Sequence, residues 1–220
     1  MNLSRRDLIV LSGAAFGNAM LCGSPAGERV PWYQSMRRCG QINFNERDPI
    51  ELNIEDWLDY WTSLKINALL LNGGGIVAFY PTGIPYHHKS QYLNGRDLFG
   101  DFAKAAKKRG IRVVARLDCN YSWEEARKAH PEWFEVNADG TPVRHDESPW
   151  LYKTCMYSAY FGEQMTAIIR EINTLYDVDG FFTNGWPSTG RPSPCHCATC
   201  RDFGDTNSPE FRGRHLAARV

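Results

Sequence analysis

Excess charge is what this chain most plainly lacks. Its 25 lysines and arginines are balanced by 25 aspartates and glutamates, so the formal net charge is +0 at pH 7. Nucleic-acid binding leaves a basic footprint, and that function class is excluded. An apolar run long enough to span a bilayer, about 20 residues, is missing too. The nearest approach is residues 8–21. No internal repeat and no low-complexity segment interrupts the chain. Its 43% hydrophobic content is that of an ordinary globular protein.

The short apolar run reads instead as the core of an export signal. Ser4-Arg5-Arg6-Asp7-Leu8 precedes it, and Ser24-Pro25-Ala26 offers a small-residue cleavage site. The arginine pair resembles a twin-arginine signal. Residues 1–26 are therefore expected to be a signal peptide. Residues 27–220 would be the mature domain, periplasmic or extracellular, with no membrane span left after cleavage. Cys22 would leave with the signal.

What is present is a recurring unit: amphipathic helix, tight stop, apolar strand, polar residue at the strand's exit. The clearest copy spans residues 96–118. Asp97 and Asp101 open its helix, and Lys104, Lys107, Lys108 and Arg109 close it, as the helix dipole favours. Leu98, Phe99, Phe102, Ala103 and Ala106 share one face. Gly110 stops the helix. The apolar run 111–117 has the character of a strand buried on both faces of a parallel sheet, and Asp118 follows it. Ligands bind where such strands end, which makes Asp118 the leading candidate site residue.

Other copies are shorter. Residues 38–44 read as a first strand with Asn45 and Glu46 at its exit. Asn53 caps a helix with the stripe Ile54, Trp57, Leu58, Trp61 and Leu64, and Asp56 is placed to cap back. Residues 68–71 form a second strand running into Asn72-Gly73-Gly74-Gly75. No lysine and no helix follow as a phosphate loop requires, so a flexible turn giving substrate access is expected. Residues 79–92 make a long aromatic loop holding Tyr80, His87 and His88. Ser122 is expected to open a short helix, and residues 133–143 to form a small hairpin about the turn 137–140. A periodic helix over 161–176 leads to a fourth strand, 180–182, with Thr183, Asn184 and Trp186 beyond. The tail after Cys195 is polar and poorly patterned. About four β/α units are counted, half of the eight that close a barrel. The fold class is thus α/β, of (β/α)8 TIM-barrel type, as its N-terminal half. Either the chain is the front of a longer protein or the half barrel forms a homo-oligomer.

Gly95-Arg96-Asp97-Leu98, Lys107-Lys108-Arg109-Gly110-Ile111, Asp118 and Trp123 together resemble the third-strand region of α-L-fucosidase-like glycoside hydrolases. Tyr86-His87-His88, His130-Pro131-Glu132-Trp133-Phe134, Asp179-Gly180-Phe181-Phe182 and Cys195-x-Cys197-x-x-Cys200 bring the region 38–200 closer to the hypothetical glycosyl hydrolases of the fucosidase and β-galactosidase clan. The resemblance implies a (β/α) barrel and a carbohydrate substrate. It also implies a carboxylate at the end of the fourth strand, and here the sequence departs from it: Thr183 and Asn184 stand there, followed by Gly185.

Glycoside hydrolysis normally uses two carboxyl groups. Asp118 is the first choice and Glu46 the second, while Asp146 and Glu147 lie in a loop. Asp118 has an alternative role as the ion-pair partner of Arg116, which is also a candidate sugar ligand. His87, His88 and Asn184 are candidates for hydroxyl binding, and Tyr80, Tyr121 and Trp186 for stacking. The reading is an exported glycoside-hydrolase-like protein with carbohydrate as its partner. The alternatives are a non-catalytic carbohydrate-binding relative or a truncated remnant. No cofactor is required for catalysis. Cys195, Cys197 and Cys200, with His196 among them, have the density of a tetrahedral zinc site. The clan's close trio plus one distant cysteine implies Cys155 as fourth ligand, with Cys119 in reserve, and His196 could serve instead. A disulfide from Cys155 to one of the trio is the competing reading.

Overall fold

The computed structural model describes residues 30–184 and 195–202. Two compact units divide the chain at residue 35. The described part of the first holds one short helix, α1 (Trp32–Ser35). The expected signal peptide and Trp186 lie outside the described residues.

The second unit runs β1 (Cys39–Ile42), α2 (Ile54–Ser63), β2 (Ala68–Gly74), α3 (Leu98–Lys108), β3 (Arg112–Asp118), β4 (Tyr121–Trp123), α4 (Glu124–Ala129), β5 (Leu151–Lys153), α5 (Met165–Leu175), β6 (Gly180–Asn184) and α6 (Ala198–Asp202). Strands β1, β2, β3 and β6 form one parallel sheet in that order. Each neighbouring pair is joined through at least one helix, which is the β/α repeat expected.

Helices α2, α3 and α5 pack on one face of this sheet. Ile42, Leu69, Leu71, Val113, Ala115 and Leu117 alternate along the strands and are buried. They share one core with Leu58 and Trp61 of α2, the whole stripe Leu98, Phe99, Phe102, Ala103 and Ala106 of α3, and Met165, Ile168 and Ile172 of α5. The alternate residues look the other way. Gln41 is exposed, Leu70 and Val114 are half-buried, and Phe182 is exposed. One sheet face is covered by helices, and among the described residues no helix covers the other.

Local chemistry explains the elements. Asn53 caps α2 by accepting from the Glu55 amide at 3.1 Å, and Asp97 caps α3 by accepting from the Gly100 amide at 2.8 Å. Gly110 ends α3 at φ 75°, a left-handed value that glycine adopts freely. The α2 stripe is narrower than its sequence suggested: Trp57 and Leu64 are exposed.

Three expectations are corrected. The glycine run is not a flexible turn, because Gly73 and Gly74 belong to β2 and are needed for close approach. A Cβ on Gly73 would lie 3.1 Å from the Phe99 ring, and one on Gly74 2.9 Å from the His87 ring. A Cβ on Gly75 would collide with the Asp118 carbonyl. Ser122 does not open a helix. It sits in β4, paired with Tyr152 of antiparallel β5, and the helix starts at Glu124. The 133–143 hairpin exists, with Val136 bridged to Pro142, but it is stitched to the β4–β5 pair through bridges Phe134 to Thr154 and Arg144 to Tyr152. Its first residue, Trp133, belongs to a 3₁₀ turn.

Candidate functional site at the strand ends

Strand β3 carries Arg116 and Asp118 two residues apart, so both project from the bare face of the sheet. Parallel register sets Asn72 of β2 beside Arg116, and Asn184 of β6 beside Asp118. The result is a polar cluster at the carboxyl ends of the strands. Asp118 accepts from Asn72 Nδ2 at 2.9 Å and Asn184 Nδ2 at 3.0 Å. The Arg116 guanidinium adds an ion pair at 2.7 Å. Arg116 also donates to Asn43, just past β1. Its side chain is buried, and its Nε has no partner among the described residues.

A second group is built on the segments that follow β1 and β2. Glu46, beyond the exit of β1, meets His88 Nε2 at 2.9 Å. The His88 ring stacks on Trp123, with centroids 3.5 Å apart and planes 11° from parallel. Trp123 Nε1 donates to the Ile76 carbonyl at 2.8 Å. That anchor joins the turn after β2 to the start of the β4–β5 insert.

Two candidates are withdrawn from the open face. Tyr80 is 0% exposed, and its hydroxyl donates to Glu171 at 2.7 Å. It has no ring face left for a sugar. Burial, then the Glu171 bond, push its pKa above the ordinary range. His87 is also buried. Its Nε2 accepts from the Gly75 amide at 3.0 Å, so Nδ1 carries the proton and faces Thr82 Oγ1 at 3.2 Å. Desolvation holds its pKa down at about 3, which keeps the ring neutral. Both residues are tied to Glu171, which also accepts from Thr82 and from the Gly83 amide. Burial alone would raise the Glu171 pKa, but these hydrogen bonds bring it below the usual value. The aromatic loop is therefore a packed strap over α5, with His88 as its member at the site. Adjacent side chains point different ways, so the two histidines do not share one environment. Burial decides which of them points in.

Tyr121 is half-buried and meets His145 edge-on at 4.9 Å. Trp123 and Asn72 were not recognised in the sequence as site residues. Asn72 was hidden by its glycine neighbours, while strand alternation from Arg116 and Asp118 across the sheet would have found it.

Four of the cysteines gather in a separate buried cluster. The sulfurs of Cys155, Cys195, Cys197 and Cys200 all lie within 4.8 Å of one another, and all four residues are buried. Cys155 is 3.5 Å from Cys200 and 3.6 Å from Cys197, and all are free thiols. A tetrahedron with zinc–sulfur bonds of about 2.3 Å has edges of about 3.8 Å, so this donor set fits zinc. The Cys197 amide points at Cys195 Sγ from 3.4 Å. Hydrogen bonding among the thiols pulls Cys195 down to about 7 and Cys197 lower still, while it pushes Cys155 and Cys200 up. Cys119 is elsewhere, beside Asn184, and burial followed by the Asp118 charge pushes it up to about 12. Helix α6 grows directly out of this cluster, so the tail is ordered here where its sequence showed no pattern.

Known proteins agree with this architecture. Residues 53–185 match the family described as hypothetical glycosyl hydrolase 6. An α-L-fucosidase isoenzyme 2 from Paenibacillus thiaminolyticus superposes with TM-score 0.64 at 19% identity, over 83% of this chain and 29% of that one. A hypothetical protein from Ruminiclostridium thermocellum superposes with TM-score 0.56 at 16% identity, over 83% of this chain and 90% of that one. No curated protein matches the sequence. The fold is α/β, a partial TIM barrel, and the chain spans under a third of the fucosidase.

Proposed function

The chain belongs to the hypothetical glycosyl hydrolase 6 family, and from that premise we propose an exported glycoside-hydrolase-like protein that acts on the glycosidic bonds of a plant- or microbe-derived glycan. One observation carries the reading: Asp118 stands at the end of a parallel strand, clasped by Asn72, Arg116 and Asn184. Barrel enzymes do their chemistry at that end.

Three donors occupy three of the roughly four lone-pair positions of a carboxylate. The fourth is available to a sugar hydroxyl, and Asn184 offers an exposed amide beside it. Glu46, held by His88, is the second carboxylate. In this assignment Asp118 orients the sugar. Glu46 exchanges a proton with the glycosidic oxygen or with water, and His88 fixes its orientation. Hydrolysis by a carboxyl pair needs a separation of about 5 Å for retention and roughly 6.5–9.5 Å for inversion.

A non-catalytic carbohydrate-binding relative is the second reading. It is favoured by the end of β6, where Thr183 and Asn184 replace a carboxylate. A panel of aryl glycosides separates the two. Turnover by the wild type, reduced at least tenfold by Asp118→Asn and by Glu46→Gln, supports the enzyme. Glycan binding without turnover supports the binding relative. Neither binding nor turnover contradicts both.

Zinc is proposed as a structural ion held by Cys155, Cys195, Cys197 and Cys200. With four protein sulfurs as ligands it leaves no position for water, so it would support the fold and not the reaction. Export by the twin-arginine route is proposed from Arg5 and Arg6. Replacement of both by lysine should leave the protein in the cytoplasmic fraction.

A further inference from the structure

We propose that the exposed indole of Trp150 is a second carbohydrate contact, a platform for a sugar unit lying outside the Asp118 cluster; this rests on the glycan reading of that cluster. Three rings are in successive contact, starting from the histidine that holds Glu46. His88 is stacked face to face on Trp123 at 3.5 Å. Trp123 is followed by Trp150, 6.5 Å away and tilted by 33°. The first two are held in place. His88 meets Glu46, and the Trp123 indole donates to Ile76, whose neighbour Gly75 abuts the Asp118 carbonyl. Trp123 has one face covered by histidine. Trp150 ends the row and is 47% exposed.

Its position is fixed by the insert. Trp150 immediately precedes Leu151, which pairs with Trp123 across β4 and β5. The preceding carbonyl, Pro149, accepts from Arg144 at 2.8 Å. The Arg144 guanidinium in turn lies 4.6 Å over the ring of buried Tyr152. The backbone on either side of Trp150 is thus anchored while its large apolar ring stands at the surface, which favours a ligand stacked on it. The chemistry it suits is the C–H face of a pyranose, drawn to the electron-rich face of the indole. The site therefore takes an oligosaccharide, with one unit at Asp118 and another against Trp150.

The test compares wild type, Trp150→Ala, Trp150→Tyr and Asp118→Asn. The probes are methyl glycosides and matched oligosaccharides of two to five units from β-glucan, xylan, mannan, galactan and α-glucan, titrated calorimetrically. Expected is tighter binding of oligosaccharides than of the corresponding methyl glycoside. Trp150→Ala removes that gain, about two- to tenfold for one stacked ring. It leaves the methyl glycoside unaffected, and Trp150→Tyr restores the gain. Asp118→Asn weakens every ligand. If Trp150→Ala changes neither class, or both equally, the platform is overturned while the Asp118 reading stands. If the wild type binds none of the probes, the glycan reading falls and the platform with it.

Discussion

His87 shows how one buried side chain sets a pH limit. Its pKa falls from about 6.5 in the unfolded chain to about 3 in the fold, because desolvation penalises the charged ring. Between those values the unfolded chain binds more protons, so acid favours unfolding. Stability should be intact above pH 6.5 and should fall by up to about 1.4 kcal/mol per pH unit below it. Urea midpoints at pH 7 and pH 4.5 test this. His87→Asn should be less stable at pH 7 yet lose less on acidification, and an equal loss in both proteins would contradict the assignment. Gly75 is as demanding at the same turn. It adopts φ 96°, and a Cβ there would strike the Asp118 carbonyl. Gly75→Ala should therefore disturb the site as well as the fold, seen as a lower melting temperature together with weaker ligand binding.

Among the elements, the two faces of the sheet should respond differently to truncation. Leu71→Ala and Leu117→Ala remove fully buried side chains from the helix-covered face and should cost about 2–5 kcal/mol each. Phe182→Ala, on the bare face, should cost less than about 1 kcal/mol in this chain. Chemical denaturation of the three variants measures the contrast. The elements with clean periodicity were legible in the sequence. The α3 stripe is buried in full because apolar spacing, caps and glycine stop all agree. The strand leading to Asp118 lies where its apolar run placed it, but it is not buried on both faces as that run suggested: Val113, Ala115 and Leu117 are buried, Val114 on the other face only half so. What stayed hidden depends on distant partners. β4 is a strand only because Leu151, Tyr152 and Lys153 lie opposite it, about thirty residues on. The glycines of β2 looked permissive, but it is Phe99, His87 and the Asp118 backbone that require them. Tyr80 and His87 looked like ligands because nothing local marks Glu171 as their partner.

At the scale of the whole molecule, four parallel strands present helices on one side and a bare face with half-buried Leu70 and Val114 on the other. A closed eight-stranded barrel would pack that second face as its interior. The cysteine cluster ties Cys155, beyond the insert, to residues 195–200. Protein purified from cytoplasm should carry about one zinc per chain. Chelation should lower its melting temperature by about 20 °C or more, since structural zinc contributes on the order of 10 kcal/mol and each kcal/mol is worth about 2–4 °C at this size. Cys155→Ser should abolish the difference between the treated and untreated protein.

In the proposed function the carboxyl ends of β1, β2, β3 and β6 converge on one carbohydrate site. A crystal structure with an oligosaccharide from the binding panel tests it most directly. Sugar hydroxyls are expected within hydrogen-bond distance of Asp118 and the Asn184 amide. Sugar density confined to the opposite end of the sheet, with Asp118 untouched, would contradict it.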